Sequence, residues 1–148
     1  MAQILSMTHA HREDVLSMMR VFYASPAVAT NGSEEIFQAD IDACISQNPY
    51  LEGFVFWEDD ALAGYAMIAK SFSTEYGVPC IWIEDIYLKP EFRSKGIGSQ
   101  FFDYLQKQFP DHLQRLEVEE DNLPAVATYR KNGFTEMPYM EMKKAFPV

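Results

Sequence analysis

Apolar residues recur at helical spacing over residues 11–23, where Val15, Leu16, Met18, Met19 and Phe22 share one side. A short apolar stretch at 3–7 precedes them and predicts a strand. Pro26, Asn31 and Gly32 then mark a loop over 24–32. Ser33 is placed to cap a second helix, with Glu34 and Glu35 in a first turn whose dipole favours them. That helix runs to about residue 46, and Asn48-Pro49 ends it. Residues 51–57 and 62–71 are β-like runs around Glu58-Asp59-Asp60, a hairpin signature. Residues 71–79 form a polar, aromatic connection, and 80–88 a third strong strand. A helix over 96–109 buries Phe101, Phe102, Leu105 and Phe109. A strand follows at 113–119, then a helix at 122–132 closed by Gly133, and a last extended segment at 134–143. Trp57 and Trp82 read as core. The order is β–α–α–β–β–β–α–β–α–β, an α/β pattern without repeats or linkers.

The most informative break in this pattern is Arg93-Ser94-Lys95-Gly96-Ile97-Gly98, between the 80–88 strand and the following helix. A strand feeding a glycine loop that opens a helix can hold phosphate. Gly96 and Gly98 carry no Cβ, so an anion can approach the backbone closely. The first-turn N–H groups have no partners inside the helix, and the dipole there favours negative charge. Arg93 and Lys95 put two cations in a chain of formal net charge −10.

A second informative stretch is Asn122-Leu123-Pro124-Ala125-Val126-Ala127-Thr128-Tyr129. Asn122 can cap, and Pro124 falls in the first turn, where its missing N–H does no harm. Asn122 and Tyr129 lie two turns apart on one helix face. Spacing alone leaves Tyr129 either as packing or as a hydroxyl beside whatever rests on the glycine loop.

Composition narrows the classes. A chain of 148 residues with 48% hydrophobic content has enough for one packed domain and argues against disorder. No apolar run reaches the ~18 residues of a membrane helix, and residues 1–5 carry no signal-peptide pattern. Cys44 and Cys80 are the only cysteines, which suits a reducing cytoplasm, and His9, His11 and His112 are not spaced to complete a metal site with them. The excess of 22 acidic over 12 basic residues disfavours nucleic acid and suits a cationic partner, or simply solubility.

Residues 83–98, Ile83-Glu84-Asp85-Ile86-Tyr87-Leu88-Lys89-Pro90-Glu91-Phe92-Arg93-Ser94-Lys95-Gly96-Ile97-Gly98, resemble the acetyl-CoA-binding motif of the GNAT superfamily of N-acetyltransferases. Arg93, Gly96 and Gly98 match its Arg/Gln-x-x-Gly-x-Gly/Ala ending. Asn122, Ala125, Tyr129, Lys131, Gly133 and Phe134 resemble the superfamily's second motif, in the right order downstream. The resemblance implies a single acetyltransferase domain over 1–148, with a mixed, mostly antiparallel sheet of six to seven strands flanked by about four helices. It implies acetyl-CoA as cofactor and no metal. Backbone groups of Ile86, Tyr87 and Leu88 would bind the pantetheine arm. Arg93 and the loop Ser94, Lys95, Gly96, Ile97, Gly98 and Ser99 would hold the pyrophosphate, while Asn122 and Ala125 contact the cofactor. Tyr129 matches the residue that commonly protonates the leaving thiolate. Last strands of the superfamily often pair across a homodimer, and Phe134, Met137, Tyr139, Met140 and Met142 give this end an apolar surface.

The chemistry also needs a proton acceptor, since an alkylammonium with a pKa near ~10 must attack as the free base. Glu84 is the candidate. It resembles the glutamate of polyamine acetyltransferases in a similar Glu-Asp-aromatic-hydrophobic run, and can equally bind the amine or form an edge salt bridge. Adjacent strand residues face opposite ways, so Glu84 and Asp85 reach one cleft only if the strand bulges. Tyr23, Glu35, Phe72, Glu75, Tyr76 and Glu84 are candidates for the acceptor, since carboxylates and aromatics suit an ammonium group. The leading expectation is acetyl transfer from acetyl-CoA to a primary amine of a small molecule by direct attack in a ternary complex. The alternatives are a protein lysine or N-terminal acetyltransferase and a non-catalytic acyl-CoA-binding module.

Overall fold

The computed structural model describes residues 1–146. Strand β1 (Gln3–Ser6) leads through a 3-10 turn into helices α1 (Arg12–Tyr23) and α2 (Glu34–Ile45). Strands β2 (Leu51–Glu58), β3 (Ala61–Ser73) and β4 (Val78–Leu88) follow as a meander. Helix α3 (Ile97–Gln108), strand β5 (Leu113–Leu116) and helix α4 (Leu123–Lys131) complete the described elements. Local chemistry sets the boundaries. Ser33 Oγ accepts the Ile36 N–H at 3.2 Å and starts α2. Asp59 and Asp60 both hold positive φ, 51° and 59°, a turn whose twist matches the flanking strands β2 and β3.

The sheet order is β1-β2-β3-β4-β5, antiparallel throughout except for the parallel β4–β5 pair. Helices α1 and α2 cover one face, where Val15, Leu16, Met19, Phe37 and Ile41 pack on Val55, Tyr65 and Met67. Helix α3 covers the other, where Phe101, Phe102 and Leu105 pack on Phe54, Phe56, Ile68 and Ile81. α4 adds Tyr129 at the margin of that second layer.

Two irregularities matter. Met67 lies opposite Asp85 and Ile68 opposite Ile83, so Glu84 has no partner on β3 and the strand bulges there. The bulge switches the alternation of β4. Before it, Ile81 and Ile83 face α3; after it, Ile86 and Leu88 do, and Tyr87 turns to the α1–α2 face. The second is Gly64, opposite Leu88. A Cβ there would stand 2.1 Å from the Tyr87 carbonyl oxygen and 3.1 Å from Leu88 Cα. Backbone cannot yield as a flexible side chain does, so Gly64→Ala will destabilise the fold by about 2–3 kcal/mol. Chemical denaturation measures this; an unchanged midpoint would show that β4 yields freely.

The structure corrects several expectations. The sheet has five strands among the described residues, not six to seven, and residues 134–146 form none. One feature opposes pairing of this segment with β5: Pro138 lacks an N–H. β5 itself ends at Leu116 rather than at residue 119. The connection over 71–79 shrinks to a turn over 74–77, because β3 runs to Ser73 and β4 starts at Val78, with Gly77 at φ +66°. Trp57 is 37% exposed, near the hairpin end of the sheet, rather than core. Trp82 is half-buried, its ring beneath the Arg115 guanidinium at 4.4 Å.

Candidate active site

The parallel pairing of β4 with β5 ends at Ile83 and Leu116, while β4 continues to Leu88. Past that point the strands part. A groove of about 1700 Å³ runs through the gap, with Glu84 and Asp85 on the β4 side, Glu117 and Val118 beyond β5, and Tyr129 on α4. The Lys89 N–H bonds back to Ala63 on β3 at 2.8 Å. The Leu88 carbonyl instead accepts the Arg93 Nε–H at 2.9 Å. Polar backbone groups alternate along a strand, so Ile86, two residues before Leu88, also directs its N–H and C=O away from β3 and towards the gap. The outer part of β4 thus leaves the Ile86 N–H and C=O unpaired with β3, while the Leu88 carbonyl is taken by Arg93.

The glycine loop lies beyond the groove and opens to solvent. Ser94 and Gly96 hold φ of +62° and +80°, bending the chain sharply into α3. Gly96 is the N-cap and has no side chain to close the helix, and a Cβ at Gly96 or Gly98 would meet nothing within 4 Å. Among the described residues, the first-turn amides of Ile97, Gly98 and Ser99 have no hydrogen-bond partner, and the space beside the two glycines is open. Arg93 and Lys95 rest over the rings of Tyr87 and Phe92, at 5.5 and 5.4 Å, which holds both cations close to the loop.

On α4, Asn122 occupies the N-cap, but its side chain makes no capping bond; its carbonyl accepts the first helical bond, from the Val126 N–H at 3.0 Å. Tyr129 packs edge-on against Phe102 and Phe134, with centroids 5.9 and 6.0 Å away. Burial pushes its phenol above the usual range. Tyr129 thus packs against these rings and also lines the groove.

The acidic side is built on the bulge. Asp85 is buried, and its two oxygens accept the hydroxyls of Tyr23 at 2.9 Å and Tyr65 at 2.7 Å. Burial raises its pKa, and the two hydroxyls pull it part of the way back. Glu84 is exposed at the surface of β4; partial desolvation in the groove, then Asp85 and Glu141, raise its pKa. A side cavity of about 280 Å³ shares Tyr23, Glu84 and Asp85 with the groove and adds Asp40, Tyr50 and Met67. Burial and then Asp85 and Glu84 push Asp40 up to about 6. A hydrogen-bonded Glu141, then burial, lifts Glu117 to about 7. Among the described residues, none of Asp40, Glu84, Asp85 and Glu117 forms a salt bridge with a lysine or arginine.

The structure brings Tyr23, Glu84 and Tyr129 to the groove, with Tyr76 at its rim. Glu35 is exposed on α2 and Phe72 is 61% exposed on β3; neither lines the groove or the side cavity. Glu75 accepts the Tyr139 hydroxyl. Asp40, Tyr65 and Asp85 were not among the expected site residues. Asp40 did carry a signal, a carboxylate at helical spacing beside the buried Phe37 and Ile41.

The chain matches the model of the acetyltransferase (GNAT) family over residues 15–134. It is 30% identical over 120 residues to a thialysine N-epsilon-acetyltransferase of Sus scrofa, covering 74% of this chain and 68% of that protein. It is 36% identical over 80 residues to a streptothricin acetyltransferase of Streptomyces lavendulae, covering 51% of this chain and only 40% of that protein. The structure of AAC(6')-Iy in complex with the bisubstrate analog CoA-S-monomethyl-acetylneamine superposes with a TM-score of 0.78 at 16% identity over 99% of both chains. A family match over most of the chain, joined to strands that part beside a glycine-opened helix, places this protein in the GNAT acetyltransferase family.

Proposed function

We propose that this protein transfers an acetyl group from acetyl-CoA to a primary amine of a small cationic molecule. The observation that carries this reading is the gap between β4 and β5, with a phosphate-ready helix end on one side and unneutralised carboxyls on the other. The residues present fit the cofactor. The space in front of Gly96 and Gly98 is open, and Ile86 on the outer part of β4 turns its N–H and C=O away from β3. The amides of residues 94–99 would hold the pyrophosphate, and Ile86, Tyr87, Leu88, Asn122 and Ala125 would hold the arm. Bound acetyl-CoA supplies an acetyl group activated as a thioester.

The chain's own groups do the rest. The Ile86 N–H is aimed to stabilise negative charge developing on a carbonyl oxygen. Glu84 takes the proton of the acceptor ammonium, and Tyr129 keeps a proton at its hydroxyl for a leaving sulfur. Asp40, Tyr23 and Tyr50 bind the acceptor's cationic body through charge and ring faces. The Sus scrofa and Streptomyces lavendulae relatives are named for thialysine and streptothricin, which agrees with an amine acceptor. An amine and peptide panel, followed through release of the CoA thiol, tests the reading. Turnover with small amines supports it; turnover with peptides alone would make the acceptor a protein, and none with either would leave a binding module.

Glu84 has its own test in pH. A carboxyl with a raised pKa is ionised, and so able to act as a base, only above that pKa. At saturating amine, kcat will therefore fall as pH drops through the raised pKa of Glu84. Glu84→Gln will lower kcat at least about tenfold and remove that acid limb. A raised KM with the limb retained would mean that Glu84 only grips the ammonium.

A further inference from the structure

Asn132 sits at the C-terminal end of α4 and reaches across to α3. Its Nδ2 lies 2.8 Å from the Thr128 carbonyl oxygen and 2.9 Å from Ser99 Oγ. The first contact settles which atom points there. A backbone carbonyl only accepts, so the amide nitrogen must face it. The same NH₂ group then donates its second hydrogen to Ser99. A serine hydroxyl that accepts in this way keeps its own hydrogen for another acceptor. Ser99 is the third residue of α3, half-buried in the first turn, whose amides have no partner among the described residues.

We propose that Asn132 is a positioning residue that aims the Ser99 hydroxyl outward, as a side-chain donor to a phosphate of the cofactor. This rests on the reading that the N-terminus of α3 holds the pyrophosphate. The main-chain amides there bind phosphate without regard to side chains; Ser99 adds one O–H, and Asn132, by donating to Ser99 Oγ, fixes the oxygen and leaves its hydrogen without a partner among the described residues. The contact also ties α4, which carries Tyr129, to the turn that holds the phosphate, so the proton donor and the cofactor share one frame. A hydrogen bond to a charged phosphate is stronger than one between neutral groups.

A double-mutant cycle tests this in the full chain, with Asn132→Ala, Ser99→Ala and both together. Kd is measured for acetyl-CoA, and KM for acetyl-pantetheine, which lacks the pyrophosphate. Each single variant will weaken acetyl-CoA binding roughly tenfold, and the double variant no more than Ser99→Ala alone. KM for acetyl-pantetheine will not move in any of the three. Additive losses would overturn the proposal, because Asn132 would then act without Ser99. An equal loss with acetyl-pantetheine would also overturn it, because Asn132 would then only shape α4. Unchanged acetyl-CoA affinity in the variants would sink this inference alone, whereas a wild-type protein that binds no acetyl-CoA would sink the reading of the α3 terminus beneath it.

Discussion

Gly98→Val will leave the free protein about as stable as wild type and abolish most of the stabilisation that acetyl-CoA provides. The first half follows from the space around Gly98. A Cβ there meets no protein atom within 4 Å, and the residue lies in the first turn of a right-handed helix, where valine is tolerated. The second half follows from what that space is for. A ligand at ~100 times its Kd adds ~2.7 kcal/mol to the folded state. In a chain of this size, that is a rise in Tm of about 5–10 °C. The branched side chain projects where the pyrophosphate must approach the amides, so the rise will nearly vanish. Gly98→Ala, with one methyl, will lose less. Differential scanning fluorimetry with and without acetyl-CoA reads both quantities. A valine variant that keeps the full rise would rule out the phosphate position.

That loop was legible because its chemistry is local. Two glycines, two cations and a strand–helix junction fall within six residues, and the structure bends the chain there through Ser94 and Gly96. The same holds for Ser33 as a cap and for Asp59-Asp60 as a turn, where the side chain itself dictates the backbone. The acidic side was legible only in part. Glu84 and Asp85 sit together because β4 carries one residue more than β3 at that point, and neither strand's sequence marks the extra residue. A bulge is a property of the pair, set by how Met67 and Ile68 seat against β4, so sequence gives the condition for the cleft but not its fulfilment. Asp40 reaches the same cavity only through the docking of α2 on the sheet. The missing last strand is the reverse case. Residues 134–143 have an extended composition, but extension becomes a strand only beside a partner, and Pro138 works against one.

Tyr129→Phe separates an enzyme from a binding module. The variant keeps the ring, so its contacts with Phe102 and Phe134 persist, and no partner in the described part of the protein loses a hydrogen bond. Stability and acetyl-CoA Kd should therefore hardly change. Catalysis should change greatly. Burial raises the Tyr129 phenol above its usual range, so the hydroxyl is protonated at neutral pH and carries a proton it can donate. A positioned general acid is worth typically ~10²–10⁴ in rate, so kcat will fall at least ~30-fold. The decisive comparison is kcat for both proteins with the best amine of the panel, beside acetyl-CoA Kd for both. Equal kcat values would mean that water or another residue protonates the sulfur. A weakened Kd with kcat unchanged would make Tyr129 a wall of the cofactor site. A large loss of kcat at constant Kd would fix its hydroxyl as the proton donor, since the substitution removes nothing else.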